Sequence, residues 1–146
     1  NLTPKGYGRV TFNGMGKILS TAEKITISAT AATGTINYDV ITQSVLYYTT
    51  ASSGNFTVNL RGDGSNSMNN IMDTGESVTV AFLVTNTGTP YYNSAVQVDG
   101  SGVTPEWQGG AAPSAGNANS VDSYSYTIVK TGDTAFTVFA SQVQFA

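Results

Sequence analysis

The stretch ESVTVAFLVT, residues 76–85, decides how this chain is read. Val78, Val80, Phe82 and Val84 fall at every second position, with Ser77, Thr79 and Thr85 on the other face. Side chains of a strand point alternately to opposite faces, so this spacing predicts a half-buried strand with its apolar set turned inward. The pattern continues outward from there. Residues 55–60 align Phe56, Val58 and Leu60, residues 24–29 align Ile25, Ile27 and Ala29, and residues 123–130 align Tyr124, Tyr126 and Ile128. Residues 135–144 carry Phe136 and Val138 on one face against Phe139 and Val143 on the other, which predicts a strand covered twice, by a partner sheet and by another subunit. Shorter strands are expected at residues 9–12, 36–40, 44–50, 95–98 and 103–107.

Turn-forming pairs separate these segments: Asn13-Gly14, Thr33-Gly34, Ser53-Gly54, Asp63-Gly64, Thr87-Gly88, Asp99-Gly100 and Thr131-Gly132. About ten short strands punctuated in this way predict an all-β, antiparallel β-sandwich of jelly-roll type. Closing or doubling the sheet would protect edges that few charges guard. One segment breaks the pattern. Met68, Ile71 and Met72 have the spacing of a single helical face ahead of Asp73-Thr74-Gly75, which predicts one short helical turn plugging an open end of the sandwich. Residues 1–7 read as an extended N-terminal segment, and residues 8–146 as one sandwich domain.

The composition narrows function mainly by exclusion. Of 146 residues 40% are hydrophobic and only 10% charged, against about 25% charged in ordinary soluble domains. The net charge is -3 and no basic cluster appears, so no nucleic-acid partner is expected. No apolar run nears the ~20 residues of a spanning helix, and the first residues lack the pattern of a signal peptide; no membrane insertion is expected. With neither cysteine nor histidine, disulfides, thiolate or imidazole metal sites and histidine-dependent triads are excluded.

Paired carboxylates are the catalytic apparatus left. Asp63, Asp73, Glu76, Asp99 and Glu106 all sit in or beside expected turns, where acids serve hydrogen bonding and solubility. No catalytic residue, metal ligand or cofactor is therefore assigned. The run 63–67 has oxygen donors in the manner of a calcium loop, but Thr74 stands where a twelve-residue loop needs its glutamate, so a plain turn is expected. Gly6-Tyr7-Gly8 and Gly14-Met15-Gly16 are not dinucleotide fingerprints, and Asn1-Leu2-Thr3 and Asn55-Phe56-Thr57 match the glycosylation pattern only formally. Tyr47-Tyr48 and Tyr91-Tyr92 are adjacent pairs in which one ring can face the core and the other outward; Tyr48 and Tyr92 are taken as the outward candidates. Trp107, the single tryptophan, precedes Gly109 and Gly110 and a long run of small residues. Trp107 is expected to anchor that loop, the glycines to permit close backbone approach, and a neighbouring chain to complete its order. With Phe139, these residues are the candidates for subunit interface or glycan contact.

The ordered set SVLYYTTASSGNFTVNLRGD, MNNIMDTGESVTVAFLVTNTGTPYYNSAVQVDGSGVTPEWQGGAAPSAGNANSVDSYSYTIVKT and the terminal AFTVFASQVQFA resembles a module of virion structural proteins in marine tailed phages, notably those of cyanobacteria. The resemblance covers residues 8–146. It implies a non-enzymatic virion protein without cofactor, located in a tail fibre or other tail appendage and assembled as a homo-oligomer, with a trimer expected, among other virion proteins. The alternatives within the same reading are a capsid decoration or head fibre protein, and a carbohydrate-binding module that recognises host surface glycan through Tyr48, Tyr92 or Trp107. The low charge agrees with such a role, since it weakens repulsion between copies.

Overall fold

The computed structural model describes Val10 and residues 14–146. The extended segment expected at 1–7, the strand expected at 9–12, the Gly6-Tyr7-Gly8 run and the Asn1 site lie wholly or largely outside the described residues. In the described chain, β1 (Ile25–Ala31), β3 (Val45–Thr50) and β5 (Ser77–Thr85) alternate with β2 (Gly34–Asp39), β4 (Phe56–Arg61) and β6 (Asn93–Val98), and the two sets occupy opposite sheets. After β6 come β7 (Ser101–Val103), β8 (Glu106–Trp107), β9 (Val121–Gly132) and β10 (Ala135–Phe145). The sheets are ordered β1-β3-β5-β9-β10-β8 and β2-β4-β6-β7.

The all-β sandwich with one short helical turn is therefore present, and its pairing is mixed. The β1–β3, β3–β5, β2–β4, β4–β6 and β10–β8 pairs are parallel. Only β5–β9, β9–β10 and β6–β7 show the antiparallel pairing expected throughout. The jelly-roll order is replaced by a flattened coil: the chain crosses from sheet to sheet after nearly every strand, so each strand stacks on its counterpart one turn earlier. Parallel neighbours need a crossover connection, and here a strand of the opposite sheet supplies it. Alternating sequence cannot distinguish this from hairpins, because both need the same inward and outward positions.

What distinguishes them is how the connections stack. Ser53 N donates to Ala32 O (3.0 Å), laying the β3–β4 connection on the β1–β2 connection, and Ser52 N donates to Thr85 O (2.9 Å). At the other end Val40 N donates to Arg61 O (2.9 Å). Side chains repeat the register: Asn59 Nδ2 donates to Asn37 Oδ1 (2.9 Å), and Arg61 Nε meets Asp39 Oδ1 at 2.6 Å. That ion pair raises the Arg61 pKa through its hydrogen bond to Asp39. The coil ends where β9 closes one sheet and β7 the other, β7 through a hairpin in which Asp99 and Gly100 both have positive φ (51° and 80°), as a type I′ turn requires.

The inward faces of β4, β5 and β9 are those that the alternation predicts, whereas in β1 the aligned Ile25 and Ile27 face outward. Phe56, Val58 and Leu60, Val80, Phe82 and Val84, and Tyr124, Tyr126 and Ile128 are all buried. Phe82 lies edge-to-face with Tyr48 (5.4 Å between centroids) and Phe56 (5.6 Å), and Phe56 with Tyr124 (5.8 Å). Tyr38 spans the sandwich and donates its hydroxyl to Ala81 O (3.1 Å); burial raises its pKa.

The helix α1 (Met68–Ile71) follows from its caps. Ser67 Oγ accepts from Asn70 N (3.1 Å), and the Asp99 carboxylate accepts from Met68 N (2.7 Å) and Asn69 N (3.1 Å). Met68 and Met72 are buried in the core cluster. Lys130, itself buried, donates Nζ to Asn69 O (2.7 Å) and Met72 O (2.8 Å), so a cation meets carbonyls at the end of the helix. The short helix plugs one end of the sandwich, as its apolar spacing predicts.

Candidate functional site

Three features stand out once the core is set aside: the outer face of the larger sheet, the edge formed by β8, and the loop at 108–120. Registers across the larger sheet define the first. Ile27, Tyr47, Leu83, Ser123 and Val143 form one row across β1, β3, β5, β9 and β10, and Ile25, Val45, Ala81, Ser125 and Ser141 form the next. These outward positions leave Ile25 (43%), Ile27 (65%), Phe139 (51%), Val143 (48%) and Phe145 (58%) exposed. The charged residues of these five strands are Asp122 and Lys130, both buried. Across these five strands the outer face is thus apolar and hydroxylic without charge, and at the β8 edge the exposed Glu106 stands beside Phe139. The face of β1 that carries Ile25 and Ile27 is the outward one, and the doubly apolar β10 has its core half covered by the other sheet and its outer half uncovered.

The β8 edge is built around Trp107. Glu106 and Trp107 pair in parallel with Phe139 and Ala140, so Trp107 shares the inward side of Ala140 and packs against the core. Beyond it the chain turns through Gln108–Gly110, where Gly109 and Gly110 both have positive φ (82° and 80°), a conformation that favours glycine. Clefts flank the strand. One, of about 480 Å³, lies between the start of β6 and residues 103–107, with Gly110 and Ala112 at its rim. The other, of about 360 Å³, opens over Phe139 and the hydroxyls of Ser125, Thr127 and Ser141.

The loop that follows is held from within the protomer, by a residue that sequence reading missed. Asp122 is fully buried, and its carboxylate accepts from Asn86 Nδ2 (3.0 Å), Asn117 N (3.0 Å), Asn117 Nδ2 (2.6 Å) and Gln142 Nε2 (3.1 Å). Ser52 Oγ in turn donates to Asn86 Oδ1. Gly116 lies so close to Tyr91 that a Cβ would stand 2.3 Å from Tyr91 O. The expectation that a neighbouring chain orders this loop is thus corrected for its second half, which Asp122 fixes. Trp107 anchors the first half as expected. A signal for Asp122 existed in the parity of β9, where position 122 shares a face with Tyr124 and Tyr126; the same parity marks Lys130 as buried.

The first tyrosine pair divides as expected, with the assignment reversed, and both members of the second are half-buried. Tyr48 faces the core against Phe82 and Tyr47 takes the outer face. Tyr92 is half-buried in the approach to β6, its N–H donating to Asn55 Oδ1 (3.3 Å) and its carbonyl accepting from Phe56 N (3.1 Å). The structure brings Trp107, Gly109, Gly110 and Phe139 together at the β8 edge; Tyr48 is not part of that cluster.

The carboxylates singled out from sequence are mostly engaged. Asp63 Oδ1 accepts from Ser65 N, Asn66 N and Asn66 Nδ2 at 2.7–2.8 Å, and the bonds from Ser65 and Asn66 lower its pKa. This is the plain turn expected there. Asp99 caps α1, and Glu76 Oε2 accepts from Asp73 N (2.8 Å). Glu106 makes no side-chain hydrogen bond with the described residues. Among the described residues no cluster of three or more acids is placed to hold a metal, and no helix is long and apolar enough to cross a membrane. No family model, curated protein or solved structure matches the chain.

Proposed function

We propose that this chain is a non-enzymatic structural domain of a phage virion, of the tail-fibre or tail-appendage kind that its sequence resembles, and that it assembles with further copies of itself through the outer face of the larger sheet. The observation that carries the reading is that face: five strands wide, free of charge, with Ile25, Ile27, Phe139, Val143 and Phe145 exposed. Scattered apolar residues are ordinary on a surface, whereas contiguous ones mark an interaction site. Strands about 4.8 Å apart and some 30 Å long make a patch on the order of 600 Å² in plan. That approaches the ~800 Å² each partner contributes to a stable interface.

A second copy is the occupant that fits. Five strands without charge on this face offer little to a charged partner, while two copies of a chain of net charge -3 would meet over them with the nearest carboxylate, Glu106, at the β8 edge. A trimer about a threefold axis is the arrangement expected of a fibre. Labelling purified particles with an antibody raised against the domain tests the location. Label confined to the tail appendage supports the reading; label on the capsid alone, or none on intact or disrupted particles, overturns it.

A further inference from the structure

We propose that residues 15–19 form an exchange arm, seated in the assembly in the apolar groove beside α1 of a neighbouring copy. The inference rests on the reading that copies of this chain assemble through the outer face of the larger sheet, and it names a second contact between them.

The root of the arm is fixed at the start of β3. Ser44 Oγ donates to Glu23 Oε2 (3.0 Å), and Ser44 N donates to Lys24 O (3.1 Å). Ahead of that root, residues 14–22 are exposed throughout and none belongs to a strand or helix. Three of the five residues 15–19 are nevertheless large and apolar: Met15 is fully exposed, Leu19 is 87% exposed and Ile18 67%. Isolated apolar side chains are ordinary on a surface, whereas three on one short segment, almost bare on their own protomer, mark a contact made elsewhere. Lys17, between them, makes no hydrogen bond or ion pair with the described residues.

A groove of about 420 Å³ opens at the same end of the sandwich, lined by Val40, Ile41, Ile71, Met72 and Val78, with Glu76 as its one charged residue. It matches the arm in chemistry, with apolar walls for Ile18 and Leu19 and a negative charge for Lys17. The protomer's own arm does not fill it, since Ile18 and Leu19 stand exposed. Fully extended, Met15 can lie on the order of 25 Å from the root at Glu23, about the width of the five-stranded face, so the arm reaches a copy seated there. Exchange of an identical element between protomers is a low-cost route to association. Three side chains fall short of the ~800 Å² per partner of a stable interface; tethering makes the contact effective once the outer face has brought copies together.

The chain has no cysteine, so a thiol can be placed at one chosen position. Full-length Leu19→Cys and Ile41→Cys chains, distinguished by a mass tag, are mixed, left to assemble and treated with a short bismaleimide. Both positions are exposed, so neither substitution should disturb folding. Cross-linking between the two chains is expected, and none between Leu19→Cys and Ser53→Cys, whose exposed thiol would lie at the opposite end of the sandwich. Ile18→Asp with Leu19→Asp should weaken assembly by ~10-fold or more at unchanged protomer melting temperature. Cross-links confined within a chain that carries both Leu19→Cys and Ile41→Cys, equal yields for Ile41→Cys and Ser53→Cys, or undiminished assembly of the doubly acidic variant would overturn the inference. A parent that assembles while Leu19→Cys and Ile41→Cys fail to link overturns this inference alone, whereas a parent that stays a single protomer overturns the assembly reading with it.

Discussion

Neighbouring tyrosines on β9 should respond to the same substitution with opposite sign. Tyr124 and Tyr126 are both fully buried, with nearly parallel rings 6.4 Å apart. The Tyr124 hydroxyl accepts from Asn93 N (3.2 Å) and Gln142 Nε2 (3.2 Å), whereas the Tyr126 hydroxyl is buried without a partner. Phenylalanine keeps ring and packing in each case and removes only the oxygen. In Tyr124→Phe, Gln142 retains Ala115 O and Asp122 as acceptors, but the Asn93 N–H is stranded. A buried donor left unpaired costs about 1–3 kcal/mol. In Tyr126→Phe no bond is lost and a desolvated hydroxyl is removed, which should stabilise by about 1 kcal/mol. At roughly 2–4 °C per kcal/mol for a chain of this size, the melting temperature should rise by a few degrees in one variant and fall by up to ~10 °C in the other. Calorimetry and urea unfolding of both variants beside the parent check this. Equal losses in the two would refute the argument, since they would mean that the Tyr126 hydroxyl has a partner after all.

Other consequences follow from the polar interior. Asp122→Ala removes the acceptor shared by Asn86, Asn117 and Gln142 and should destabilise by on the order of 3 kcal/mol in urea unfolding, with faster protease cleavage between residues 108 and 119. Gly116→Ala forces a Cβ against Tyr91 O at 2.3 Å, and the resulting backbone shift should cost about 1–3 kcal/mol; an unchanged melting temperature would contradict the close approach. Burial raises the pKa of Tyr124 and Tyr126 above the usual 10.0, so the unfolded chain ionises first. Their contribution is complete below that pH and is lost above it, at up to about 1.4 kcal/mol per tyrosine per pH unit. Unfolding free energies measured at successive pH values from 9 to 12 should decline accordingly, whereas a flat profile would contradict the burial.

The alternation through Val78, Val80, Phe82 and Val84 made the sandwich legible, because the parity of a strand is dictated by burial on one side. It left the topology open. Ala32 and Thr33, between β1 and β2, send the chain into the opposite sheet, and nothing in a two-residue connection distinguishes that from a hairpin. The stacking of Ser53 on Ala32 that decides it is a contact between residues far apart in sequence. Asp122 and Lys130 were hidden for a related reason. Their parity places them inside, yet residue type argues for the surface, and only the donors of Asn86 and Asn117, or the carbonyls of Asn69 and Met72, explain why a charge can lie there. Trp107 was legible as an anchor since a lone tryptophan seldom stays exposed; the cleft beside it was not, as it depends on how β6 and β8, which belong to opposite sheets, come together at the edge of the sandwich.

The central claim is that the uncharged outer face of β1, β3, β5, β9 and β10 is covered by sister molecules. Sedimentation equilibrium of the parent chain and of Ile27→Lys with Val143→Lys, both at exposed positions, tests it most directly. The account predicts a discrete assembly for the parent, of three protomers of 15.2 kDa if it is a fibre, and a folded single protomer for the variant. A parent that sediments as one protomer at every concentration, or a doubly charged variant that associates just as tightly, would contradict it.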